Sequence, residues 1–167
     1  GGPRLAVTSL IPRATDPHIF QPSPQDARLL QSARLIFING FGLEGSVERL
    51  IASTGQTSKR VVLGSKIKPL RLIENGKDQG LDPHIWHDVG NVKLSVATIR
   101  DALIEADPGD RAGLARNAER YLDRLRALDR DLAARHVTVD LASGGTAIES
   151  YHCGWPPRGT PYLRTSW

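Results

Sequence analysis

Over residues 5–65 short apolar runs alternate with stretches of helical spacing, and no other feature of the chain restricts its fold as much. LAVTSLI (5–11) is a β-branched apolar run closed by Pro12 and reads as a strand. Ser23 then suits an N-cap, Pro24 the first helical position and Asp26 the third, which predicts a helix from 24 to 33. RLIFIN (34–39) reads as a buried strand ended by Asn39-Gly40. Leu43, Val47, Leu50 and Ile51 recur at helical spacing before Gly55, a helix-stop residue, and KRVVLGS (59–65) is a further strand. Strands separated by helices pair in parallel, so the expected class is α/β. A length of 167 residues, 40% hydrophobic and 24% charged, suits one domain or one lobe of a two-lobed protein.

Residues 66–81 are polar, with turn signals at Asn75-Gly76 and Gly80, and read as a surface loop or hairpin. Asp88 can cap a helix from 89 to 106 with Val92, Val96, Ile99 and Leu103 on one face, closed by Pro108. From Asp110 to Arg135 the pattern is one long helix. Leu114, Ala118, Leu122, Leu125, Leu128 and Leu132 form its apolar stripe, and Arg116/Glu119 and Asp131/Arg135 are spaced to pair. After residue 135 the text changes character, holding Cys153, Trp155 and Trp167 with no sustained period beyond Ile148. The expected division is 1–108, 109–135 and an irregular tail, 136–167.

Composition excludes several functions. The net charge is +4, but 22 Lys and Arg are spread among 18 Asp and Glu with no basic block carrying interleaved aromatics, which argues against nucleic-acid binding. No run approaches the ~18 apolar residues that a membrane span requires. The opening GGPRLAVTSLIPRA has neither the charged region nor the cleavage site of a signal peptide, so the chain is expected to be cytosolic, already processed or a fragment. A single cysteine forms no intrachain disulfide and no thiolate metal cluster. The chain carries no nucleophile elbow, phosphate-cradling glycine loop or HExxH pair, and an enzyme is not expected.

One motif occurs twice: DPHIF at 16–20 and DPHIW at 82–86. Asp-Pro is a turn signal, because proline fixes its own φ and pushes the residue before it out of the helical region. Each histidine therefore follows a stiff bend, and both are expected at the carboxyl end of a strand, the ligand edge of an open α/β sheet. Two neutral imidazoles in one crevice suit Zn2+ or Mn2+, with Ile-Phe and Ile-Trp as dry walls. Further ligands could come from His87, Asp16, Asp82 or Asp88, or from outside the chain. His136 and His152 read as ordinary surface histidines.

DPHIFQPSPQDARLLQSARLIFINGFGLE (16–44) resembles the first metal-ligand segment of the zinc- and manganese-binding solute-binding proteins of ABC transporters, and DPHIWHDVGNVKLSVATIRDALIEADP (82–108) resembles their second. The resemblance implies a first lobe with a short parallel sheet flanked by helices and a long connecting helix over 110–135, with the second lobe absent from this chain. It makes His18 and His84 the first-lobe metal ligands and a membrane permease the partner. It also implies a periplasmic or extracellular, membrane-associated setting. Residues 66–81 lack the histidine-rich insertion of some zinc-specific members, which leaves zinc versus manganese open. One rival is a zinc-dependent hydrolase built on His18, His84 and Asp88, with an open water position; another is a non-functional fragment.

Overall fold

Ser23 opens the first helix through a reciprocal cap. Its hydroxyl accepts from the Asp26 amide, the Asp26 carboxylate accepts from the Ser23 amide, and Pro24 sits where no N–H is needed. The computed structural model describes residues 5–55, 59–74 and 77–134. Helix α1 runs Pro24–Ser32, strand β1 Leu35–Ile38, helix α2 Gly45–Ser53 and strand β2 Lys59–Val62. β1 and β2 pair in parallel, Leu35 opposite Lys59 and Ile38 opposite Val62, giving the expected short parallel sheet with helices. Ile36 and Ile38 of β1 bury against Leu30 of α1 and against Val47 and Ile51 of α2. The intervening Phe37 keeps 36% of its surface exposed, so β1 is covered by α1 and α2 on alternate residues and is not buried throughout as its apolar run suggests.

Residues 5–11 form no strand. Only Leu10 of this run joins the core around β1, and Val7 is 86% exposed; with no strand partner its backbone has no ladder to join. The polar stretch after β2 is a hairpin, strands β3 (Arg71–Glu74) and β4 (Lys77–Leu81), paired antiparallel with a register irregularity between Arg71 and Ile73. The Asp82 amide donates to Leu70 O at 2.8 Å, so the pairing ends where the second Asp-Pro-His begins.

Helix α3 spans Val89–Ala106 with the Asp88 carboxylate accepting from the Gly90 and Asn91 amides, a cap of the kind worth about 1 kcal/mol. Its C-terminal carbonyl at Ala106 accepts from Arg34 Nη2 at 2.7 Å. Helix α4, Arg111–Ala134, is about 36 Å long at 1.5 Å per residue. Leu122 and Leu125 bury against Val89, with Val92, Val96 and Leu132 around them, and Lys93 Nζ meets Asp129 Oδ2 at 2.6 Å across the two helices.

Three expectations for these helices change. On α3 the buried residues are Val89, Thr98, Ala102 and Ile104, while Val92, Val96, Ile99 and Leu103 are half-buried, because α3 packs against α4, the short 3-10 turns at 63–66 and 85–87, and the parallel strands rather than against one surface. Leu128 of α4, at the flank of its stripe, stays 45% exposed. Glu119 pairs with Arg126 at 2.6 Å rather than with Arg116, and Arg126 also reaches Asp123. Arg135, His136, His152, Cys153 and the rest of the expected tail lie outside the described residues.

Candidate metal centre

Each Asp-Pro-His is a side-chain-closed turn. Asp16 Oδ1 accepts from the His18 amide at 2.9 Å, and Asp82 Oδ1 accepts from the His84 amide at 3.0 Å, the same bond over the same two-residue interval. Proline holds the residue between at a fixed φ, so each repeat is a rigid Asx turn ending on an imidazole. The two turns meet. His18 Nε2 and His84 Nε2 lie 3.3 Å apart, from residues 66 positions apart in the chain. Two imidazole nitrogens bound to one tetrahedral zinc at ~2.05 Å each stand about 3.3 Å apart. The observed separation therefore equals the spacing of two nitrogens on one shared ion.

The two imidazoles are held unequally. His84 Nδ1 lies 2.6 Å from Asp82 Oδ1, and because a carboxylate only accepts, Nδ1 carries the hydrogen and the neutral ring keeps its lone pair on Nε2. Among the described residues Asp16 makes no such contact with the His18 ring; its carboxylate meets the backbone alone. His84 is half-buried and His18 exposed.

The Ile-aromatic pairs that follow are used in opposite senses. Phe20 turns inward onto the core around β1 while Ile19 is 71% exposed. In the second copy Ile85 is buried, and Trp86 stays 45% exposed with its ring 5.3 Å from that of His84, edge to face. One apolar residue of each pair anchors its turn and the other stands on the surface, and of these two Trp86 lies against an imidazole, that of His84.

Neither His18 nor His84 sits at the end of a strand of the parallel sheet. The segment before His18 is not a strand, and β4, before His84, belongs to the separate hairpin. The link to the sheet runs through the loop at 39–44. Asn39, the first residue after β1, donates from Nδ2 to Pro83 O at 2.8 Å and so ties the second turn to the carboxyl end of β1. Glu44 holds that loop in place: Oε1 accepts from the Asn39 amide at 2.7 Å and Oε2 from the Gly40 amide at 3.4 Å. The chain takes positive φ at Gly40 (93°), Phe41 (57°) and Gly42 (79°), and a Cβ on Gly40 would come within 2.7 Å of Val62, so glycine is needed there on both counts. The signal for this loop was present as NGFGLE; its glycines and lone carboxylate mark a turn, but nothing in them names Pro83 as the target.

The other proposed donors stand apart from this pair or are engaged elsewhere. Asp88 spends its carboxylate on capping α3, and His87 is exposed with its ring 5.5 Å from that of Trp86. Among the described residues no three His, Cys, Asp or Glu side chains converge as a metal site, so His18, His84 and Asp88 do not form the three-ligand centre that a zinc hydrolase would use. The arrangement presents two imidazoles, one of them preset by a carboxylate.

The family described as ZnuA, zinc-uptake complex component A, periplasmic, matches residues 1–143. The manganese-binding lipoprotein MntA of Halalkalibacterium halodurans is 38% identical over 138 residues, 83% of this chain and 45% of that protein. The iron-binding protein YfeA of Yersinia pestis is 34% identical over 134 residues, 80% of this chain and 43% of that protein. Among solved structures, a zinc-bound deletion mutant of ZnuA superposes with a TM-score of 0.72 at 32% identity, covering 80% of this chain and 51% of its own. The chain thus spans about half the length of the curated relatives it matches.

Proposed function

Because the chain belongs to the ZnuA family of periplasmic zinc-uptake components, we propose that it captures a divalent transition metal, Zn2+ or Mn2+, for an ABC importer, with His18 and His84 as ligands. The observation that carries this reading is the meeting of two like turns that brings Nε2 to Nε2 at 3.3 Å, with His84 preset by Asp82. The metal is cargo, so the protein binds and releases it without turnover, and the partner is a membrane permease that receives it. Relatives named for manganese and iron, and a neighbour holding zinc, support the class of ion and leave its choice between zinc and manganese to measurement. Among the described residues no helix is long and apolar enough to cross a membrane. A periplasmic or membrane-tethered setting is supported by the lipoprotein relative and the family description. In this reading residues 1–108 are the metal-binding lobe, 109–135 the connecting helix and 136–167 a separate tail.

Two imidazoles leave the remaining coordination positions to water or to groups beyond the described residues. Affinity is therefore expected to be weaker than a closed four-ligand site provides. Calorimetric titration of the chain with Zn2+ and with Mn2+, beside H18A and H84A, tests the reading. Each substitution is expected to remove most of the affinity. Both variants titrating like the parent would dismiss the site.

A further inference from the structure

We propose that Asn39 is a positioning residue for metal capture, setting His84 against His18 through its side-chain bond to the second Asp-Pro-His turn. The inference rests on the reading that the two imidazoles share an ion.

Asn39 is half-buried, and its polar groups are heavily committed. Its amide donates to Glu44 Oε1, its carbonyl accepts from the Gly64 amide at 3.0 Å, and Nδ2 donates both to Gly40 O at 3.2 Å and to Pro83 O at 2.8 Å. Both side-chain partners are carbonyl oxygens, so only the NH2 end of the carboxamide fits there. Pro83 is buried and contributes no N–H; its carbonyl accepts both from Asn39 Nδ2 and, at 2.8 Å, from the Ile85 amide, so the Asn39 side chain grips the turn between Asp82 and His84 on its acceptor side.

The grip is anchored at depth. The backbone of Asn39 is held by Glu44 on one side and Gly64 on the other, at the end of strand β1. A Cβ on Gly64 would collide with the Phe41 ring and stand 3.0 Å from Asn39 O, so the two loops touch with no space between them. The position of the core strand is thereby transmitted through one carboxamide to the carbonyl adjacent to His84. Among the described residues His18 has no such tie; its turn is attached through Ser46 Oγ, which donates to Phe20 O at 2.5 Å, two residues beyond the histidine. Asn39 therefore bears on one of the two imidazoles, alongside the Asp82 amide's bond to Leu70 O and the bond from Asn91 Nδ2 to Ile85 O.

Removing the side chain leaves both backbone anchors of Asn39 intact, which makes N39A a specific probe. N39D is its isosteric companion, replacing the donor with an oxygen that faces two carbonyl oxygens. Both are made in the full chain and again in the H18A and H84A backgrounds. Affinity is read by Co2+ titration through visible absorption, and folding by circular dichroism and thermal melting. N39A and N39D are expected to keep the fold and to weaken Co2+ binding by about 10- to 100-fold, the range for residues that orient metal ligands. The loss is expected to vanish in both the H18A and the H84A backgrounds, where no pair of imidazoles remains to be set. A general structural defect would weaken both backgrounds alike. Binding by N39A within twofold of the parent, an undiminished loss in either background, or failure of both variants to fold would each overturn the proposal. If H18A and H84A themselves bind like the parent, it is the metal site that fails, a result distinct from an unaltered N39A.

Discussion

Asp16 and Asp82 occupy the same place in the same motif, yet the structure gives them different work. Both carboxylates close an Asx turn on the following histidine amide, and only Asp82 also meets its imidazole, at 2.6 Å. Substituting Asp82 removes a turn and a ring partner together; substituting Asp16 removes a turn alone. D82A is expected to weaken Zn2+ binding by about 10- to 100-fold, and D16A by distinctly less. Calorimetry on the two variants, with melting curves to verify folding, settles the matter; equal losses would show that ring orientation by Asp82 contributes nothing. At this scale the sequence was informative about type and silent about pairing. Asp-Pro-His announces a rigid turn ending on an imidazole, because proline and a short acceptor act within three residues. That the Asp82 oxygen would bond the ring as well depends on the His84 rotamer, which neighbouring packing selects.

Helices were legible down to their caps. Ser23 with Asp26, and Asp88 before Val89, satisfy orphan amides one turn away, so the signal and its effect lie in adjacent letters. The 5–11 run misled for the opposite reason. A strand needs a neighbour, and an apolar β-branched heptad does not say whether one is present. The hairpin of β3 and β4 carries a test of its own. Arg71 donates to Asp78 Oδ2 from Nε at 2.9 Å and from Nη2 at 2.6 Å, and the Gly80 amide donates to Oδ1 at 2.9 Å. Chiefly through the Arg71 bonds, and then through Gly80, the Asp78 carboxyl is held below its ordinary value. A depressed carboxyl pKa contributes stability that is fully present above the unfolded value and is lost as pH falls through the folded one. Because both side chains are exposed, the contribution is small and confined to the hairpin. Amide exchange measured by NMR is expected to show the hairpin opening more readily as the solution is acidified below the carboxylate range, an effect that D78N should remove. The same acid response in D78N would assign it to another group.

For the whole molecule, charge and apolar surface decide behaviour. Net charge is +4, and α4 alternates Arg with Asp and Glu, Arg126 being paired with both Glu119 and Asp123. These alternating charges partly cancel its field, so any DNA binding is expected to be sequence-independent and to disappear by moderate salt. Fluorescence anisotropy with unrelated duplexes across a salt series measures this, and a sequence-preferring complex that survives salt would contradict it. Class and order of elements were readable from the residues because hydrophobic period and end signals are local: each acts over a few positions and is written contiguously. The α/β alternation, α3 and α4 follow from such signals, as does the rigidity of both Asp-Pro-His turns. Bringing His18 Nε2 to within 3.3 Å of His84 Nε2 is of another kind. It requires two turns 66 residues apart, one delivered by a hairpin outside the parallel sheet and held by Asn39. Short-range propensity carries no information about such an approach; the resemblance to metal carriers supplied it in advance. Physically it is decided by packing of the core around β1 and by one carboxamide at that strand's end, contacts that come into being only once distant segments have closed on one another.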